Sequence, residues 1–288
     1  MPMSARLLRP RASGVHPEAA AWRSSVVAGG GSVSAKTLDA VSKFCAAIDQ
    51  AGIRSRFLRL NLLCGNSDSN LVAVRTPLYR AESRTGTQLG DERDTSNAFV
   101  ASTDYAENSG LTGNGSTKRF ITGLAGSNLA GHNLHLAVYA PAASAGTFDA
   151  LLGVRSNFNA PAAVLSSQSP ATLIAFQLGN NGIQITNDPA NGMWMGVQTG
   201  SLTGALYRNG TSLTTSYTTG AATTNDFSTI SHDFSVFCLN DGGSPNVFRD
   251  FSAARMAGYS IGLSMNATQA AAYYTAMQAF QTALGRNV

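Results

Sequence analysis

Leu206-Tyr-Arg-Asn-Gly-Thr-Ser-Leu213 is the stretch on which the fold turns. Asn209-Gly210 tolerates positive φ at both central positions of a two-residue type I′ turn, so the segment predicts a tight β-hairpin. Further out, Leu134, Leu136 and Val138 fall on one parity and His135, Ala137 and Tyr139 on the other. Met193, Met195 and Val197 alternate in the same way around Trp194, and each run predicts a half-buried strand. Phe234-Ser-Val-Phe-Cys-Leu239 is apolar on both parities except at Ser235, which places it centrally in a sheet. Ala257, Tyr259, Ile261 and Leu263 share one face of a last strand. A helix follows, capped by Asn266 with Gln269 three residues on, striped by Tyr273, Met277, Phe280 and Leu284, and closed by Gly285. Short strands at roughly ten-residue spacing, with Gly and Asn between them, predict a mainly β chain built as an antiparallel β-sandwich.

Composition agrees. Charged residues make up 12 % of the 288, hydrophobic ones 43 %, and Gly, Ser, Thr and Asn take the place of the missing charge. That excludes a disordered chain and a coiled coil, which need charge or heptads. No apolar run approaches the ~20 residues that cross a bilayer, so a soluble chain with no membrane partner is expected. The 29 glycines point to many turns.

Charge is concentrated at the start. Through Leu60 nine basic residues stand against three acidic ones, leaving a net −2 for the remainder of a chain whose total is +4. Residues 1–15 read as a basic arm carrying Arg6, Arg9 and Arg11, and with no aromatic residue interleaved, nucleic acid is not the expected partner. Pro10 and Arg11 interrupt any apolar core, so no secretory leader is expected. Cys45, Cys64 and Cys238 are odd in number and widely spaced, which fits reduced thiols and a cytoplasmic synthesis.

Residues 16–63 read as a helical region. Pro17 opens a first helix with Glu18 in its first turn, and Gly29-Gly-Gly31 stops it. Ser34 caps a second, in which Leu38, Val41, Cys45 and Ile48 recur at spacings of three and four before Gly52 ends it. Phe57–Leu63 alternates Leu58, Leu60 and Leu62 against Arg59 and Asn61, a strand with one wet face. Residues 64–96 read as an irregular linker holding the boundary to a sandwich with a C-terminal helix over 97–288.

The segments Ala205–Leu213, Phe234–Phe237 and Arg255–Gly262 leading into a helix resemble the C-terminal half of concanavalin A-like and laminin-G-like jelly rolls. With Leu8–Gly14, Asn97–Tyr105 and Gly110–Lys118 added, the chain resembles a group of tailed-bacteriophage and prophage virion proteins of the tail-fibre or head-decoration type. The resemblance spans most of the chain and contains no catalytic signature. It implies a jelly-roll particle component, assembled in the bacterial host cytoplasm and residing in the virion, with other virion proteins and further copies of itself as partners.

Chemistry-bearing residues fit that expectation. Glycosidases need two carboxyl groups across the scissile bond; no Glu follows Glu107, and the Asp residues beyond it are scattered among turns. On a strand His132 and His135 face opposite sides and cannot share an ion. No serine stands in a nucleophile elbow, and Gly113–Thr117 lacks the spacing of a phosphate loop. No catalytic residue, metal or cofactor is expected. The arm with Arg6, Arg9 and Arg11 pairs with acidic groups or carbonyls of a neighbouring protein, and the face Leu38, Val41, Cys45, Ile48 docks there or on its own sandwich. A glycan-binding receptor module is the alternative, with Trp194, Tyr207, Asn240 and Asp241 as ligand residues on a cell-surface glycan. A polysaccharide depolymerase stands behind it.

Overall fold

The computed structural model describes residues 14–82, 87–129, 133–140, 148–156, 162–168, 173–178, 181–185, 191–200, 203–214 and 229–286. Its N-terminal part runs α1 (Pro17–Ala28), α2 (Ala35–Gln50), β1 (Phe57–Asn61), α3 (Val72–Arg75), β2 (Tyr79–Arg80), β3 (Thr95–Asn97) and α4 (Ala101–Asp104). There follow β4 (Tyr105–Ala106), β5 (Gly110–Thr112), β6 (Arg119–Ala125), β7 (Leu134–Ala140), β8 (Phe148–Arg155), β9 (Ala162–Gln168), β10 (Leu173–Leu178) and β11 (Asn181–Ile185). The last part is β12 (Gly192–Gly200), β13 (Thr203–Arg208), β14 (Thr211–Thr214), β15 (Asp233–Val236), β16 (Leu239–Asn240), β17 (Phe248–Arg249), β18 (Arg255–Met256), β19 (Gly258–Gly262) and α5 (Ala267–Leu284).

The strands form two large sheets, ordered β14-β13-β12-β7-β19-β1-β2 and β11-β10-β9-β8-β15-β6-β3. The neighbours along both paths are antiparallel; β16 adds to β8 in parallel. A small third sheet joins β18, β5 and β4. Leu134, Leu136, Val138, Trp194 and Ile261 on the first sheet meet Phe120, Leu152, Val154, Phe234 and Val236 on the second. This is the mainly β sandwich with a C-terminal helix that the strand pattern predicted, in the jelly-roll-like form that the resemblance implied. Each large apolar side chain buried here stabilises the fold by about 1.5–3 kcal/mol.

The first sheet is covered on its other face as well. Ala137, Tyr139, Met193, Met195 and Val197 pack under Phe44 and Ile48 of α2 and Tyr273, Met277 and Phe280 of α5. The molecule therefore has three layers, helices on sheet on sheet, and every residue of β7 is buried. The half-wet reading of β7 and β12 is corrected accordingly: small and apolar residues occupy both parities because both faces meet protein.

Local signals hold where the backbone alone decides. Asn209 and Gly210 have φ of 48° and 76°, as the hairpin turn requires. A Cβ on Gly210 would lie 3.0 Å from Ala271 Cα, so the hairpin tip rests on α5. Ser34 Oγ accepts from Thr37 N at 3.0 Å, and Asn266 and Gln269 form a reciprocal capping box with bonds of 2.9 and 3.1 Å. Asn266→Ala is expected to cost about 1 kcal/mol in denaturant unfolding; no change in the midpoint would mean that packing, not the cap, starts this helix.

The structure corrects two readings of the N-terminal third. Arg59 and Asn61 of β1 are 0 % and 1 % exposed, pointing into a buried polar network instead of water. Residues 64–96 are no spacer: they bury Leu71, Val72, Ala73 and Val74 and supply β2, β3 and the fully buried Asp94. Since β1 pairs with β19, the boundary placed in this segment does not separate two sheets.

Candidate functional site

Several residue types associated with catalysis lie inside the layers. His135 Nδ1 is 2.7 Å from the Leu263 carbonyl, which only accepts, so Nδ1 carries the proton and Nε2 accepts from the Ser260 hydroxyl at 2.9 Å. Tyr273 in turn donates to Ser260 Oγ at 3.1 Å. All three residues are at most 1 % exposed beneath α5, so this Ser–His pair has no path to a substrate. Burial pushes the imidazole down to about 4, with the neighbouring Arg56 acting in the same direction. His132 lies outside the described residues.

Trp194 and Tyr207 occupy adjacent strands but opposite faces. Trp194 sits in the core between the sheets and Tyr207 faces the helices, at 0 % and 6 % exposure. They offer no shared ring platform to a sugar, because the first sheet is covered on both sides.

Asn240 and Asp241 do come to a rim. The loop between β16 and β17 brings Asp241 against Arg155 at Oδ1 and Arg249 at Oδ2, the latter at 2.8 Å. Asn240 Nδ2 donates to the Asp233 carbonyl, and its Oδ1 accepts from Gly242 N. Gly242 has φ of 72° with the Ser156 carbonyl 2.3 Å from where a Cβ would stand, so only glycine fits this turn. His232 Nδ1 lies 3.1 Å from Asn246 Oδ1. Burial raises the Asp250 carboxyl, and Asp241 and Asp149 beside it act in the same direction, against Arg155 and Arg249. What this rim presents outward is the half-exposed Arg249 guanidinium, Asn246 and Val247. The scattered aspartates of the sequence are thus gathered, but Asp149 and Asp241 are about 5–6 % exposed and Asp241 is held by two guanidiniums. That is poor geometry for two carboxylates flanking a glycosidic bond.

The helical layer has a different surface. Val41, Cys45 and Ile48 are fully buried against the chain's own first sheet, the second of the two placements expected for that face. Leu38 lies at its margin. With Val15, Ala20, Arg23, Ser24, Val27 and Ala28 it lines an open groove on the outer side of α1 and α2. Val15 and Val27 are 46 % and 56 % exposed, two of the few large apolar side chains left in water among the described residues. Arg6, Arg9 and Arg11 lie outside the described residues.

Two features escaped sequence reading: the buried Arg59–Asp94 pair and the pairing of Asp241 with Arg155. Their members stand 35 and 86 positions apart, and no spacing rule joins them.

No protein-family model matches the chain, and no curated protein matches it. Among solved structures it is similar to Trypanosoma rangeli sialidase in complex with 2,3-difluoro-KDN, with a TM-score of 0.45 and 9 % identity over 82 % of this chain and 39 % of that one. It is also similar to a receptor binding domain, with a TM-score of 0.45 and 9 % identity over 79 % of this chain and 52 % of that one. For the binding domain of botulinum neurotoxin serotype G the TM-score is 0.38 and the identity 11 %, over 76 % of this chain and 50 % of that one. The chain spans well under half of the sialidase and about half of the two binding domains. With each TM-score below 0.5, the likeness carries neither activity nor ligand to this chain.

Proposed function

We propose that this chain is a non-enzymatic structural protein of a tailed-bacteriophage particle, fastened to a neighbouring virion protein by its N-terminal region and present in repeated copies with the sandwich outward. The observation that carries the reading is the groove of Val15, Val27 and Leu38, an open apolar surface whose Val15 follows an arginine-rich stretch in the sequence. Apolar contact supplies affinity in such a groove, and guanidiniums supply register on acidic groups or carbonyls. The burial of the Ser–His pair and the double ion pair on Asp241 support a role without turnover. The rim of Arg249, Asn246 and Val247 favours a second reading, recognition of a cell-surface glycan.

One experiment separates them. Particles assembled with chain lacking residues 1–14, or carrying Val27→Asp, are expected to lose most of this protein while the purified variants fold normally. Incorporation unchanged in both would sink attachment through this region. Glycan-array binding by a protein absent from the particle would establish the second reading.

A further inference from the structure

We propose that His16, Glu18 and Cys45 form a binding site for a divalent transition-metal ion of the zinc type. Their ligand atoms lie within 4.8 Å of one another, where the N-terminus of α1 crosses α2. Imidazole nitrogen, carboxylate oxygen and thiolate sulfur are the donor types that zinc takes, and three protein ligands leave its fourth position open. The inference is independent of the function proposed above.

The surrounding bonds suit a cation. His16 Nε2 pairs with Asp49 Oδ2 at 3.0 Å, so Asp49 orients the ring from behind, as carboxylates do for metal-bound histidines. Nδ1 is left with a long contact of 3.3 Å from Glu18 N, which a metal would replace. Arg54 occupies Glu18 Oε1, while Glu18 Oε2 is sealed from solvent and has no hydrogen-bond partner. Tyr79 is 0 % exposed, and its hydroxyl stands beside the Cys45 thiol. A buried polar atom without a partner asks for an explanation, and a bound ion is one that fits a carboxylate oxygen. A bound cation would coordinate Glu18 Oε2 and turn the thiol into a thiolate able to accept from Tyr79 Oη.

Binding is an exchange of one proton for one ion. The Cys45 S–H bond breaks, the proton leaves to solvent, and sulfur donates its pair to the metal. The charged groups around the thiol are Glu18, Asp49 and Arg54, and two carboxylates against one guanidinium leave the site electronegative. Entry is from the cleft bordered by Gly14, Ser42, Lys43 and Ala46, which reaches His16 and Glu18. An ion there would tie residues 16 and 18, at the root of the basic arm, to the middle of α2.

The test uses the full chain after chelator treatment, titrated with Co²⁺ alone and then with Zn²⁺. Expected are one equivalent of cobalt, a thiolate-to-cobalt charge-transfer band, and its loss as zinc displaces the ion. Cys45→Ser abolishes the band, and Asp49→Asn weakens binding about 10–100-fold. Because Cys45 is buried, Glu18→Gln serves as a second variant at a partly exposed position and also weakens binding at least about tenfold. His232→Gln leaves it unchanged. No charge-transfer band, or binding equally strong in the folded Cys45→Ser and Glu18→Gln proteins, overturns the proposal, the latter meaning an adventitious ion only.

Discussion

Asp94→Ala is expected to lower the unfolding free energy by about 3–5 kcal/mol, the usual cost of removing one partner of a buried ion pair. Arg59 and Asp94 side chains are both fully buried, with Arg59 Nη2 2.7 Å and Nε 3.0 Å from Asp94 Oδ1. Tyr259 Oη lies 2.8 and 2.9 Å from the two carboxylate oxygens, and Asn61 Nδ2 donates to Oδ2 at 2.8 Å. Truncation therefore takes the charged partner from a guanidinium and the acceptor from a phenol in a fully buried site, while Asn61 Nδ2 keeps the Val74 carbonyl and Arg59 Nη1 the Asp91 carbonyl. Most of the effect is the penalty on the groups left behind. The double variant Arg59→Met/Asp94→Leu should accordingly recover much of the loss, because apolar replacement of a whole buried pair is often neutral. Equilibrium unfolding in urea measures both. A loss below about 1 kcal/mol for Asp94→Ala would show that water reaches the pair.

The second large effect depends on pH. Burial lowers the folded-state pKa of His135 from 6.5 to about 4. Between these values the unfolded chain binds a proton that the folded one refuses, so stability rises with pH. Acidification from pH 6.5 to 4 should remove about 3 kcal/mol through this one residue, and the loss levels off as the pH falls through 4. In His135→Gln that part of the slope should vanish, although the variant is less stable at neutral pH. Identical pH profiles for the two proteins between pH 4 and 6.5 would mean that the imidazole is protonated within the fold.

These two residues also mark where sequence reading stops. The caps at Ser34 and Asn266, the Asn209-Gly210 turn and the parity of β7, β12 and β19 were legible, because each depends on residues within a few positions. Arg59 read as solvated, since alternation identifies which residues share a face but not what that face meets. Only the long return that brings Asp94 under β1 makes the face a buried one. Tyr207 is covered for a related reason: the helices over the first sheet come from both ends of the chain, and no strand announces its cover. The His16–Glu18–Cys45 cluster was equally hidden, since the rest of α1, a loop and the first half of α2 separate Glu18 from Cys45.

The pairing of β1 with β19 orders events in time as well as space. Residues 57–61 have their full complement of neighbours only after residues 258–262 exist, and Arg286 then donates to the carbonyls of Leu62 and Leu63. On a ribosome the early helices must wait, apolar faces uncovered, while some two hundred further residues are translated. A nascent chain that stops short leaves α2 without α5 and cannot close its first sheet. The packed layer of α2 and α5 over the first sheet is thus a late product of synthesis.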